Sequence, residues 1–258
     1  MTGDYFIVGA VFATGLGLIF GSFINAWVWR IETERSIAKG HSMCPHCKKT
    51  LKWYDLVPVL SYVVLAGKCR MCRKPISPRY PIVESVMAAL FLVLFSYFDP
   101  TNLLGWVKLV ILLAITVLLV GAGSYDQKHS LLPDVFTTPA LALSVLYLLI
   151  IIVGDPSQLW PRLVGIAVVT LFFYGLWRFS GGKAMGDGDI RLAAIMGMLL
   201  HPWQLAVATV AGFNAGAVVA VVLLLTGRKK RTDHIAFGPY LIFGLYFGLI
   251  FADKLRLY

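Results

Sequence analysis

The sequence predicts an all-α polytopic membrane protein with about eight transmembrane or membrane-embedded helices and one large, cysteine-containing loop. Of the 258 residues, 59% are hydrophobic and only 14% are charged, and the mean hydropathy is +0.78. Soluble domains are about 45–50% apolar and about 25% charged. The net charge of +10 does not require nucleic acid, because most basic residues lie in loops between apolar runs, where membrane topology explains them. We therefore expect no nucleic-acid partner.

Eight apolar segments supply the predicted helices: residues 5–29, 81–98, 103–123, 135–154, 161–180, 189–201, 203–226 and 235–253. A helix that crosses a bilayer needs about 20 apolar residues. The segment 189–201 is shorter, so it predicts a tilted or half-buried helix. The first segment is too long for a cleavable signal and has no basic leader before it.

The distribution of basic residues predicts an orientation. With the N-terminus outside, all of the 23 Lys and Arg except Lys108, Arg162, Lys254 and Arg256 fall in cytoplasmic loops or at their borders. Eleven of them lie in residues 30–80 alone. An excess of Lys and Arg in cytoplasmic loops is the usual determinant of membrane orientation.

The four cysteines predict a structural zinc site. Cys44, Cys47, Cys69 and Cys72 form two C-x-x-C pairs separated by 21 residues, a spacing typical of four-thiolate zinc sites. Disulfides or a redox pair are the alternatives, but disulfides do not persist in a cytoplasmic loop. No thioredoxin-like pattern surrounds the pairs. We expect His46 to stay outside the coordination shell, since four thiolates already complete it.

Between the cysteine pairs, the apolar stretch 56–66 is too short to span a membrane and contains Pro58. It predicts an interfacial or re-entrant helix.

Two aspartates next to apolar runs are the candidate catalytic residues. Asp126 follows the run 109–123, and Asp189 ends the tetrad Gly186-Asp187-Gly188-Asp189. A charged side chain at the bilayer centre costs about 2.5–3.5 kcal/mol, so such residues are functional candidates. Two carboxyl groups that meet can share a proton and hydrolyse a peptide bond. The alternative is that both acids cap helices.

The neighbours of these aspartates are weaker candidates. Asp187 competes with Asp189, but only Asp189 has glycine one and three residues before it. Asp134 suits a helix N-cap. His129 is a possible base that is more simply explained as an incidental loop residue.

The order of motifs resembles the bacterial type IV prepilin peptidases, which are leader peptidases and N-methyltransferases of the GxGD class of membrane aspartyl proteases. The resemblance rests on Gly21-Ser22-Phe23-Ile24-Asn25, the cysteine pairs around Tyr54 to Ser61, Arg79-Tyr80-Pro81-Ile82-Val83-Glu84, Asp126 to Asp134, Gly186 to Leu192, and Phe237-Gly238-Pro239. It covers roughly residues 20–240. Arg191 stands where lysine is common, and Ala236 where proline is frequent.

The resemblance implies an endopeptidase of the bacterial inner membrane that cleaves the basic leader of type IV prepilins or pseudopilins at the cytoplasmic face. Its catalytic acids fall on Asp126 and Asp189. It also implies methylation of the new N-terminus with S-adenosylmethionine. The substrates and membrane lipid are the expected partners. Residues 1–100 are then expected to form the methyltransferase region, and residues 101–258 the peptidase region.

Glu84 is a weak candidate for a residue of the methyl-donor site, because it is the only acid at the cytoplasmic mouth of the second predicted span. The alternative is a structural ion pair with Arg79 or another cation. The chain contains no glycine-rich strand–helix fingerprint for the methyl donor, so methyl transfer rests on the resemblance alone.

Three other functions remain open at this point. The chain could be a peptidase without methyl transfer, or a zinc-dependent assembly factor without catalysis. A proton-coupled transporter would also place acids at span borders, but internal repeats and midplane charges are not evident in the sequence.

Overall fold

The computed structural model describes residues 3–36, 40–98, 102–182, 185–228 and 235–255. Within these residues the chain is helical and forms no strand, only two isolated bridges, Met43 with Thr50 and Lys68 with Pro75. The predicted all-α class is confirmed. The helices are α1 Gly3–Glu32, α2 Leu60–Val64, α3 Arg79–Phe98, α4 Leu103–His129, α5 Asp134–Gly154, α6 Leu159–Ser180, α7 Asp187–Leu199, α8 Pro202–Leu225 and α9 Gly238–Leu255.

Each of the eight apolar segments corresponds to one of the longer helices. In the described part of the chain, six helices are long and apolar enough to cross a membrane: α1, α3, α4, α5, α6 and α8. Helix α7 has 13 residues, which gives a length of about 20 Å at 1.5 Å per residue. It is the short helix that the sequence predicts for residues 189–201, and it is not one of the candidate spans.

The chain divides into two compact units, Met1–Gly121 and Ala122–Tyr258. In the first unit, α1 and α3 pack backbone against backbone at two glycines. A Cβ atom on Gly17 would lie 2.7 Å from Cα of Ala88, and one on Gly21 would lie 2.6 Å from Cα of Glu84. Small residues allow helices to approach this closely. This contact places the second half of α1 beside Glu84.

In the second unit, α7 packs against α5, α6 and α9. Its buried side chains include Leu192, Ile195 and Met196. Helices α8 and α9 pack closely through glycine, since a Cβ on Gly248 would lie 2.5 Å from the carbonyl oxygen of Gln204. Packing against three neighbouring helices therefore fixes α7, whose first turn carries the aspartates of the glycine–aspartate tetrad.

The segment between the cysteine pairs differs from the prediction. Instead of one helix over residues 56–66, the chain forms a 3-10 turn, Trp53–Leu56, and the five-residue α2. Pro58 cannot donate a backbone hydrogen bond, and Val59 adopts a positive φ of 59°. These two residues interrupt the helix that the apolar pattern predicts.

Candidate active site

Asp126 is buried near the C-terminal end of α4. The residue is only 4% exposed. The backbone N–H of Gly238, at the start of α9, donates a hydrogen bond to its Oδ2 at 3.0 Å. A Cβ atom on Gly238 would lie 2.7 Å from the same oxygen. Only glycine can bring its N–H to this carboxylate without a steric conflict.

Asp189 is buried in the first turn of α7. It is 6% exposed, and the N–H of Gly186 donates to its Oδ2 at 3.1 Å. This side chain therefore reaches back to the residue that precedes the helix, as in a capping box. The second glycine of the tetrad has a different role, because a Cβ on Gly188 would lie 2.7 Å from Cβ of Leu132.

The structure brings Asp126 and Asp189 into electrostatic contact. Burial, and then the charge of Asp126, raise the pKa of the Asp189 carboxyl to about 7. Leu132 lies against both glycine positions, since a Cβ on Gly238 would be 3.0 Å from its Cδ2. Two carboxyl groups that interact electrostatically resist double ionisation, so the pair is suited to hold a single proton.

Asp187 occupies a different environment from Asp189. Its side chain is 66% exposed and lies 3.5 Å from Arg191 Nη2. Arg191 also pairs with Asp134. The expected N-cap role of Asp134 is wrong, because Pro133 occupies the N-cap position and Asp134 is the first helical residue. The carboxylate of Asp134 is engaged by the guanidinium instead.

Two contributors to this site were missed by sequence reasoning. Gly238 lies in a motif that supports the resemblance, yet nothing in the sequence indicates that its N–H binds Asp126, 112 residues away. Leu132 reads as an ordinary apolar residue. His129 stacks on Tyr125 with ring centroids 4.4 Å apart, a contact that the sequence did not predict.

The four cysteines form a compact cluster. The Sγ atoms of Cys44, Cys47, Cys69 and Cys72 all lie within 4.8 Å of one another, and all four thiols are free. Thiolates bound at 2.3 Å to a tetrahedral zinc ion would be about 3.8 Å apart. The Sγ atoms of Cys44 and Cys72 are already 3.9 Å apart. The donor set and its geometry fit a zinc ion.

The two cysteine pairs have the same backbone structure. In each, the N–H of the first cysteine donates to a carbonyl five residues later, Lys49 at 3.0 Å and Lys74 at 2.9 Å. The residues four positions after each first cysteine, Lys48 and Arg73, have φ values of 58° and 59°. A hydrogen bond from the Cys72 N–H lowers the pKa of the Cys69 thiol to about 7. A hydrogen bond from the Lys74 N–H lowers the pKa of the Cys72 thiol, but burial and hydrogen bonds with the neighbouring thiols outweigh it and raise that pKa to about 11. The lowered pKa therefore favours the thiolate form at Cys69 alone.

Glu84 is buried on α3 in the first unit. It is 7% exposed, and the N–H of Val59 donates to its Oε2 at 2.7 Å. Ser22 and Asn25 on α1 also hydrogen-bond its carboxylate. Arg79, the expected structural partner, lies 3.7 Å from Glu32. Glu84 is therefore held by neutral donors from two other segments.

Comparison with known proteins identifies the family of the chain. Residues 16–98 match the bacterial peptidase A24 N-terminal domain, and residues 111–221 match the type IV leader peptidase family. A type 4 prepilin-like proteins leader peptide-processing enzyme of Escherichia coli is 33% identical over 91% of this chain and 91% of its own. A prepilin leader peptidase/N-methyltransferase of Myxococcus xanthus is 36% identical over 87% of this chain and 67% of its own. No solved structure gives a significant match.

The described helices place a glycine–aspartate tetrad within electrostatic reach of a second buried aspartate, and these supply the two carboxyl groups that acid–base hydrolysis requires. The chain belongs to the type IV leader peptidase family. The described part of the chain has six helices long and apolar enough to cross a membrane, and together with the family match they make it a multi-pass inner-membrane protein. The comparisons give no support to the transporter alternative.

Proposed function

We propose that this chain is a membrane aspartyl endopeptidase that removes the basic leader of type IV prepilins or pseudopilins and then methylates the new N-terminus. The observation that carries the peptidase is the pair Asp126 and Asp189, two buried and electrostatically coupled carboxyl groups, each bound by a glycine N–H. Family membership supplies the substrate class.

The proposed cleavage uses the pair as one acid and one base. The ionised carboxylate takes a proton from a water molecule, whose oxygen attacks the scissile carbonyl carbon, while the protonated carboxyl group donates a hydrogen bond to the carbonyl oxygen. The C–N bond then breaks, and the leaving nitrogen takes up a proton. The products are a leader with a new carboxylate and a pilin with a free amine. The pair titrates as a unit.

Cleavage at the cytoplasmic face follows from the proposed orientation. The distribution of Lys and Arg supports a cytoplasmic location for the cysteine-containing loop, for the end of α4 that carries Asp126 and for the start of α7. A substrate with an apolar helix in the bilayer and a basic leader in the cytosol presents its junction at that level.

We also propose a structural role for zinc at Cys44, Cys47, Cys69 and Cys72. The mutual distances of the sulfur atoms and the repeated turn geometry support a closed four-thiolate site, with no open position for substrate. Zinc would then organise the loop and take no part in peptide hydrolysis.

Methyl transfer would follow cleavage. When bound, S-adenosylmethionine supplies an activated methyl group on a sulfonium. The new pilin amine accepts this methyl group, the sulfur retains the electrons of the broken bond, and the product ammonium loses a proton. We assign this activity to residues 1–100 and proteolysis to residues 101–258. Two family models that match separate parts of the chain, residues 16–98 and 111–221, support this assignment.

Co-expression with a pilin-like precursor tests the proposal. Mass spectrometry of the product should show loss of the leader mass together with a gain of one methyl group. Loss of the leader without the methyl group would leave a peptidase alone. An unprocessed precursor beside correctly inserted protein would refute the peptidase assignment.

A further inference from the structure

The first unit contains a cavity of about 520 Å³. Its walls come from α1, both cysteine-containing turns, the α2 segment and the start of α3, and all of its lining residues belong to the first unit. Small-molecule sites are mostly concavities of about 300–1,000 Å³ with apolar walls and a few convergent polar groups. This cavity has the size and character of such a site.

Glu84 is the buried acid in the cavity wall. Ser22 and Asn25, which hydrogen-bond its carboxylate, line the same cavity. An acid within a candidate span is costly to keep there and needs a functional or structural reason. A carboxylate can accept about four hydrogen bonds, so Glu84 can bind its protein donors and a ligand at once. Its position favours a ligand that carries positive charge or hydroxyl groups.

The backbone beside Glu84 is strained. Val59, whose N–H donates to the carboxylate, has φ 59° and ψ −50°. A β-branched residue with positive φ is an outlier, and strain of this kind costs about 1–3 kcal/mol and tends to occur at ligand sites. The segment around Pro58 thus keeps an unfavourable conformation in which an N–H is directed at the acid in the cavity wall.

The remaining walls fit a flat aromatic group and a cation. Trp29, Tyr62 and Tyr80 line the cavity, and aromatic rings bind both planar heterocycles and sulfonium-like or ammonium cations. Cys44 and Cys69 also line it. Two of the four cysteines of the proposed zinc site therefore form part of the same wall.

We propose that this cavity binds the methyl donor S-adenosylmethionine, with Glu84 contacting its cationic or ribose portion and the aromatic side chains contacting its adenine. This inference rests on the methyl transfer proposed above. A lipid chain is the competing occupant of an apolar cavity, but an acyl chain has no donor or positive charge that could interact with a buried carboxylate.

The test measures ligand binding directly, with the full-length protein in detergent and S-adenosylhomocysteine as a non-reactive probe in calorimetry. Wild-type protein should bind one equivalent. Glu84→Gln should weaken binding at least tenfold, and Ala26→Trp, which fills the cavity from α1, should remove saturable binding. Glu34→Gln is the matched control, because Glu34 is exposed and is not one of the lining residues.

Two further measurements separate binding from folding. Thermal unfolding should remain cooperative in each variant, and methylation of processed pilin should fall with probe affinity while leader removal falls much less. If Glu84→Gln does not fold, Ala26→Trp decides the question. Ultraviolet cross-linking of radiolabelled S-adenosylmethionine to wild-type protein should label peptides that line the cavity.

The outcomes distinguish the two proposals. Unchanged probe affinity in folded Glu84→Gln and Ala26→Trp would place the donor elsewhere and overturn this inference, while methyl transfer itself would stand. A wild-type protein that cleaves precursor but binds no probe would refute both the methyl-transfer half of the proposed function and this site.

Discussion

The two units use buried carboxyl groups in different ways. In the second unit, Asp126 and Asp189 accept hydrogen bonds from Gly238 and Gly186 and lie in each other's electrostatic field. In the first unit, Glu84 is bound by Val59 N–H and lines a cavity of about 520 Å³. A coupled pair with glycine backbone beside it suits proton transfer at an extended peptide. A buried acid in a cavity wall suits retention of a small molecule.

The difference teaches that burial alone does not assign a role to an acid. All three carboxylates are less than a tenth exposed. What distinguishes them is the neighbouring group: another carboxylate for Asp189, and neutral donors around a cavity for Glu84. The predictions below test whether the two sites can be damaged separately.

The largest expected effect is on proteolysis. Asp126→Asn and Asp189→Asn should each lower precursor cleavage by about 10²–10⁴-fold, the usual contribution of a positioned acid or base. Membrane insertion should persist. Asp187→Asn should retain most activity, because that side chain is exposed and paired with Arg191. Cleavage is measured as leader-mass loss in a time course, and equal losses in all three variants would refute the assignment.

A second prediction concerns the glycine that binds Asp126. In Gly238→Ala the added Cβ would lie 2.7 Å from Oδ2 of Asp126, so the carboxylate must move. A displacement near 1 Å in an active site costs on the order of 100-fold in rate, and we expect a loss in cleavage of that order.

Gly154→Ala is the control for this experiment. Gly154 also belongs to the second unit, yet a Cβ there meets nothing within 4 Å. Its cleavage rate should equal that of wild type. Full activity in Gly238→Ala would show that the hydrogen bond to Asp126 is dispensable.

The sequence predicts some of this architecture and not the rest. Helix positions were predictable because apolar runs of the required length leave few alternatives, and the cysteine cluster because ligand spacing is local. The tetrad also distinguishes Asp189 from Asp187 by glycine positions. The bond from Gly238 to Asp126 was not predictable, since its partners meet only through tertiary packing.

The first unit shows the same limit. Its cavity is assembled from α1, two loops and α3, and no single segment carries a signal for it. Val59 combines a positive φ with a hydrogen bond from its N–H to Glu84, 25 residues away, and the sequence signals neither. The prediction of one helix over residues 56–66 was therefore correct only for the five residues of α2.

A third prediction tests the proposed zinc site, whose loss should affect the first unit most. Cys44→Ser should abolish stoichiometric zinc, measured by elemental analysis of purified protein. Zinc binding contributes about 10–16 kcal/mol in zinc-finger peptides, so its loss should disorder the loop. Because Cys44 also lines the cavity, methylation should fall several-fold more than cleavage.

His46→Ala is the matched control, since His46 lies in the same turn but outside the thiol cluster. It should keep a full equivalent of zinc. Purified wild-type protein with four reactive thiols and no metal would contradict the proposed zinc site.

The smallest expected effect is a shift in the titration of Asp189. Burial and the charge of Asp126 raise its pKa to about 7, so the carboxyl group should stay protonated up to roughly neutral pH and lose its proton above it. Dicyclohexylcarbodiimide modifies protonated carboxyl groups in apolar surroundings. Its labelling of Asp189, followed by peptide mass spectrometry, should therefore decline with a midpoint near pH 7.

In Asp126→Asn the neighbouring charge is gone, and the midpoint should move to lower pH while remaining above the ordinary value of 3.8 because burial persists. Asp187→Asn should move the midpoint less, because the charge of Asp187 is the weaker of the two carboxylate contributions. Cleavage should likewise weaken above pH 7 if Asp189 carries the proton. A wild-type midpoint near pH 4, or one that Asp126→Asn leaves in place, would show that the two acids do not act as a coupled pair.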